Sequence, residues 1–131
     1  MSIGFIHSAL DKHLKEIDPL PPTAWENAKF NQPTNGAMYL KISFLPASSD
    51  FGSLGVNGTT HERGIYQVGI SAPGGSGSGL AEDMADKIID HFKLKTLGTV
   101  RTTLPTRSQA MPDEGRIWLA VSIPYFVEQF F

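Results

Sequence analysis

The segment from Glu62 to Lys93 constrains the fold more than any other. It reads ERGIYQVGIS, then APGGSGSG, then LAEDMADKIIDHFK: an extended run, a glycine-rich run and an amphipathic run. In the first, Tyr66, Val68 and Ile70 share one side of a strand, and Ile65, Gln67 and Gly69 share the other. Apolar groups on both sides predict an interior strand over Glu62–Ser71. In the last, Leu80, Met84, Ile88 and Phe92 recur every fourth residue, flanked by Ala81, Ala85 and Ile89. That spacing predicts a helix over Leu80–Phe92 with a broad apolar face, which a sheet must cover. Ser78 or Gly79 caps it; Glu82 and Asp83 stand at its positive end, and His91, Lys93 and Lys95 near its negative end.

The rest of the chain supplies partners for this unit. Ile3, Ile6, Leu10, Leu14 and Ile17 form one stripe, so a helix is expected over Ser2–Asp18, stopped by Pro19. A short strand over Thr23–Asn27 would use Trp25 as a core anchor, with Phe30 beside it. Met38, Leu40, Ile42 and Phe44 alternate with Tyr39, Lys41 and Ser43, which predicts a strand over Met38–Leu45 ended by Pro46. Ala47–His61 reads as a long loop. It holds Phe51, Leu54 and Val56, which either tuck back on the domain or meet a partner. Short strands are expected over Thr99–Leu104 and Thr106–Met111. Pro112-Asp113-Glu114-Gly115 makes a turn into a last strand over Arg116–Tyr125, where Pro124 implies an edge or strand-end position. The chain closes on Phe130 and Phe131, which fold back or meet a partner. The sum is a single α+β domain over residues 1–131. Its sheet is expected to be mixed or mainly antiparallel, of about four to five strands, with two helices packed on it.

Composition narrows the function classes. The 40% apolar and 18% charged fractions are those of a globular chain. A net charge of −2 without a basic run disfavours a dedicated, sequence-specific nucleic-acid binder. With no cysteine there is no disulfide framework or thiolate metal site, which suits an intracellular place of folding. No signal peptide or membrane-spanning run is visible.

The apparent chemical motifs do not survive close reading. A dinucleotide fingerprint counted from Gly75 needs glycine where Leu80 stands, and counted from Gly77 needs a small residue where Glu82 stands. A triphosphate loop needs Lys and a hydroxyl at the helix start, where Glu82 and Asp83 would instead repel phosphate. Ser71 lacks the sharp turn of a nucleophile elbow, and its only downstream histidine, His91, lies at the far end of the helix. The histidines at 7, 13, 61 and 91 are scattered, and His7 and His13 do not share a helical face, so no metal pair is expected there. Arg63, Arg101, Arg107 and Arg116 either form one basic patch or blunt sheet edges singly. No catalytic residue, cofactor site or metal site is assigned.

The order of short segments resembles the bacteriophage tail-terminator family of the lambda type. The segments are the amphipathic N-terminal helix, Leu20-Pro21-Pro22-Thr23-Ala24-Trp25-Glu26-Asn27, Phe44-Leu45-Pro46-Ala47, and Glu62-Arg63-Gly64-Ile65-Tyr66-Gln67-Val68. Pro73-Gly74-Gly75-Ser76-Gly77, the second helix, and Trp118 with Val121-Ser122-Ile123-Pro124-Tyr125 complete the set. The resemblance implies a structural, non-enzymatic virion protein. It implies a ring, typically a hexamer, assembled in the host cytoplasm, that caps the tail tube, stops its polymerisation and offers a head-joining surface. The implied partners are further copies of the chain, the tail tube protein and a head-completion or connector protein. Candidate interface residues are Phe51, Leu54, Val56, Arg63, Gly75, Gly77, Phe130 and Phe131. Two alternatives stand beside it: a head–tail connector or head-completion protein, and a small-ligand domain using Gly74–Gly79.

Overall fold

The computed structural model describes residues 3–18, 20–26, 30, 37–51, 59–74, 79–113 and 115–130. Its order is α1 (Ile3–Leu14), β1 (Thr23–Ala24), β2 (Tyr39–Phe51), β3 (Thr59–Pro73), α2 (Gly79–Phe92), β4 (Thr96–Leu97), β5 (Val100–Thr102), β6 (Thr106–Arg107), β7 (Met111–Asp113) and β8 (Arg116–Phe130). The α+β architecture is as expected, but the described residues form a sheet of eight strands rather than four or five. Its order is β1-β2-β3-β8-β5-β4, and β6 and β7 also pair with β8. Among the described residues only β1 with β2 is parallel, so the sheet is mixed. The excess over the expected count comes from pieces of two or three residues: β5, β6 and β7 lie along one side of β8, and β4 pairs with β5 beyond it. Runs that short carry no periodicity to read.

The core of the sheet is β2, β3 and β8. β3 and β8 stay in register from Thr59 opposite Phe130 to Pro73 opposite Arg116, a span of about 50 Å at the usual rise per residue. Two sequence boundaries shift as a result. Pro46 does not end its strand: β2 passes it through a bulge between Pro46 and Ser48 and runs on to Phe51. Much of the expected loop at Ala47–His61 is therefore paired strand; residues 52–58 lie outside the described set. Pairing with an interior strand overrides the weak strand preference of Ala47-Ser48-Ser49-Asp50. Pro124 is not at a strand end either. Its carbonyl accepts from the Thr103 amide at 3.1 Å, between the stretches of β8 that pair with β5 and β6. A residue's N and C=O point to the same side of a strand, so the donor that Pro124 lacks faces this break in the neighbouring ladder.

One face of the sheet is apolar and carries the helices. Leu40, Ile42 and Phe44 of β2, Tyr66, Val68 and Ile70 of β3, and Leu119, Val121, Ile123 and Tyr125 of β8 are buried there. They meet Ile6, Leu10 and Leu14 of α1 and Ala81, Met84, Ala85, Ile88 and Phe92 of α2. Beyond α1 the chain to Asp18 continues in turns rather than as helix, with tighter bonds from Glu16 to His13 and from Ile17 to Leu14, both 3.1 Å. The strand expected over Thr23–Asn27 is only β1, and Trp25 packs partly buried against the core. β5 does not neighbour β3, because β8 lies between them.

Gly64 shows how tight this layer is. A Cβ at Gly64 would stand 2.5 Å from the Tyr125 hydroxyl oxygen and 2.7 Å from the Leu45 carbonyl oxygen. The α2 terminus is equally specific. The Thr102 hydroxyl donates to the Phe92 carbonyl and accepts from the Lys95 amide at 2.9 Å. Leu94 takes a left-handed φ of 52° to turn the chain back to the sheet.

Candidate assembly surface

The opposite face of the sheet carries no helix among the described residues. Strand alternation and register order it in rows. Tyr39, Ser71 and Trp118 form one row, Lys41, Gly69 and Ala120 the next, then Ser43, Gln67 and Ser122, then Leu45, Ile65 and Pro124. A fifth row joins Arg63, Phe126 and Arg101 across β3, β8 and β5. Arg63, Arg101 and Lys41 are exposed, and Leu45 is 48% exposed. These rows hold cations and no carboxylate.

The four arginines thus divide. Arg63 and Arg101 flank Phe126 as a basic–aromatic–basic row. Arg107 pairs with Asp86 of α2 at 3.8 Å. Arg116 is absorbed internally: its Nη2 donates to the Ala37 carbonyl at 2.8 Å, its Nε to the Ser71 hydroxyl at 2.6 Å, and its guanidinium lies over the Tyr39 ring. The sequence could not make this division, because it depends on which side of each strand an arginine occupies relative to the helices.

Of the other candidate interface residues, Phe51 and Phe130 end their strands at the same end of the sheet. Phe51 is opposite Thr60, and Phe130 is opposite the neighbouring Thr59. Leu54, Val56, Gly75, Gly77 and Phe131 lie outside the described residues. The start of the glycine run is described. The Gly74 amide donates to the Gly115 carbonyl at 2.9 Å, and a Cβ there would come within 2.5 Å of that oxygen. This donor is committed to the chain itself, which weakens the phosphate-cradle reading.

Two polar clusters join the layers on the helix side. The His13 and His91 rings stack with centroids 3.9 Å apart and planes 15° apart. Each Nε2 donates to the other's main-chain carbonyl at 2.6 Å, which fixes the proton on Nε2 because a carbonyl only accepts. These histidines are 78 residues apart, so the sequence leaves them scattered. Glu16 is close enough to complete a three-ligand set. Nearly parallel rings 3.9 Å apart, however, keep their in-plane lone pairs in two separate planes, which do not meet at one ion. The arrangement is a clamp between the C-terminal ends of α1 and α2. In the second cluster the buried Tyr66 hydroxyl donates to Asp11, with His7 at 3.5 Å from the same carboxylate and stacked on Phe44. Burial pushes the Tyr66 pKa well above its ordinary value, and the bond to Asp11 and the charges of Asp11 and Glu26 push it the same way.

None of these groups assembles a nucleophile with a base or a converging metal-ligand set. What the described molecule offers is surfaces. No curated protein matches the chain. Among solved structures, 21 chains match. One aligns over 100% of this chain and 98% of its own, at 27% identity and a TM-score of 0.73. A family model described as phage tail terminator protein matches residues 5–125. α1 from Phe5 onward, α2 and the β2-β3-β8 core up to Tyr125 fall inside that match, and the chain therefore belongs to the phage tail terminator family.

Proposed function

We propose that this chain forms a closed ring that caps the phage tail tube, stops its polymerisation and presents the surface to which the head is joined. The observation that carries this reading is the family match over residues 5–125. The family is a structural one of phage tails, so its members are virion components rather than enzymes. The architecture supports the same reading: helices cover one face of the sheet, and the other face carries exposed cations and apolar side chains. A ring needs heterologous contacts between two different surfaces of one chain. The partners in this reading are further copies of the chain, probed for hexamers, the tail tube protein, and a head-completion or connector protein.

Tail tubes polymerising in vitro provide the test. Added protein should arrest elongation and leave a ring at one tube end by negative-stain microscopy. Continued elongation with bare ends would refute the reading. Phe51→Asp, Leu54→Asp and Val56→Asp should each weaken ring formation while leaving the thermal unfolding of the monomer unchanged. Normal assembly by all three variants would remove this segment from the interface.

A further inference from the structure

Resting on the ring reading above, we infer that successive copies dock the bare sheet face of one onto the outer side of α2 of the next. The sheet face contributes Lys41, Leu45, Arg63, Phe126 and Arg101. The partner is a second copy of this chain, and charge complementarity identifies it. The five central rows of the sheet face hold Lys41, Arg63 and Arg101 and no carboxylate, while the flanking rows place Asp113 opposite Arg116 at one end and Asp50 and Glu128 opposite His61 at the other. The exposed side of α2 has the opposite character. Asp83, Asp86 and Asp90 are exposed beside its one lysine, Lys87; Asp86 is paired with Arg107, which leaves Asp83 and Asp90 to face a partner. Leu80, Asp83, Lys87 and Asp90 lie along one stripe, opposite the buried Ala81, Ala85, Ile88 and Phe92.

The apolar parts also correspond. Leu80 is 50% exposed at the start of α2. On the sheet face, Arg63, Ile65, Thr103, Pro124 and Phe126 line a depression in which an aliphatic side chain can be covered. The two surfaces sit on opposite faces of a two-layer molecule. Each copy therefore offers one to the copy before it and the other to the copy after it. This is the heterologous arrangement that closes into a ring when the rotation between copies is constant. Opposed charges also penalise the two like-on-like pairings, sheet face on sheet face and helix on helix.

The absence of cysteine makes disulfide trapping clean. Full-length Arg63→Cys is mixed with Asp83→Cys, and Lys41→Cys with Asp90→Cys, under mild oxidation. Lys15→Cys, on the exposed turn after α1, serves as the control partner. The mixed dimer should exceed either same-residue dimer, and the control, by about tenfold. A chain carrying both Arg63→Cys and Asp83→Cys should give a ladder of linked copies. Asp83→Lys with Asp90→Lys should abolish normal assembly, and adding Arg63→Glu with Arg101→Glu should restore it. Same-residue dimers in excess, or yields equal to the control, would overturn the pairing of faces. If rings still form on tube ends in that case, the ring reading stands and only this interface fails. If no ring forms on tube ends at all, both fail.

Discussion

At the scale of residues, the fold depends on a few polar contacts that tie helices to sheet. Tyr66 is fully buried and spends its hydroxyl on Asp11. Tyr66→Phe should cost about 1–2 kcal/mol at neutral pH, the usual value of such a bond. It should also change the response to alkali. The folded state favours the neutral phenol, so the contribution of Tyr66 is complete below its unfolded pKa of about 10 and is lost as pH rises above it. Native protein should lose about 1.4 kcal/mol per pH unit there from this one group, and Tyr66→Phe should lack that slope. Urea denaturation between pH 8 and about pH 11 measures both effects. Equal slopes would show that Tyr66 ionises as freely in the fold as outside it. The His13–His91 clamp makes a second residue-scale claim. A double-mutant cycle with alanine at both positions should give a coupling energy of about 1–3 kcal/mol, because each ring holds the other's carbonyl. Additive losses would mean the two rings act independently.

At the scale of elements, the helices and central strands were legible because each spans several repeats of its own period. The buried members of the α1 and α2 stripes and the alternation at Leu40, Ile42 and Phe44 ended on the face expected of the core; Leu80, expected on that face, is instead 50% exposed at the first turn of α2. What was not legible followed from long-range pairing. The extension of β2 past Pro46 exists because β3 supplies a ladder there. Pro124 reads as a strand end, yet it sits mid-strand where the neighbouring ladder breaks. The His13–His91 contact and the separation of Arg63 and Arg101 from Arg107 and Arg116 are likewise products of topology. Two substitutions probe element boundaries. Leu94 holds a left-handed φ and is 65% exposed, so Leu94→Gly should stabilise the protein by about 0.5–1 kcal/mol in thermal or urea unfolding. A loss of stability would show that the Leu94 side chain contributes contacts in solution. Gly64→Ala should destabilise by about 1–3 kcal/mol, because its Cβ collides with the backbone of Leu45 as well as with Tyr125.

At the scale of the whole molecule, the two-layer plan is what links sequence to role. Helices on one side leave a cationic, partly apolar sheet face on the other, and the acidic side of α2 lies across the molecule from it. Such a chain has two unlike surfaces and no assembled chemistry among its described residues, as suits a structural component of a phage tail. Electrostatic docking between copies should weaken with salt, so ring formation at low protein concentration should fall as ionic strength rises past the point where screening reaches about 8 Å. Salt-independent assembly, measured by sedimentation, would instead favour a purely apolar contact. The most direct measurement is the length distribution of tails made in the absence of this protein, seen by electron microscopy of lysates. Overlong tails of variable length, restored to one length by the wild-type chain, are the expected result. Tails of normal length beside unattached filled heads would contradict termination and assign the protein to head–tail joining alone.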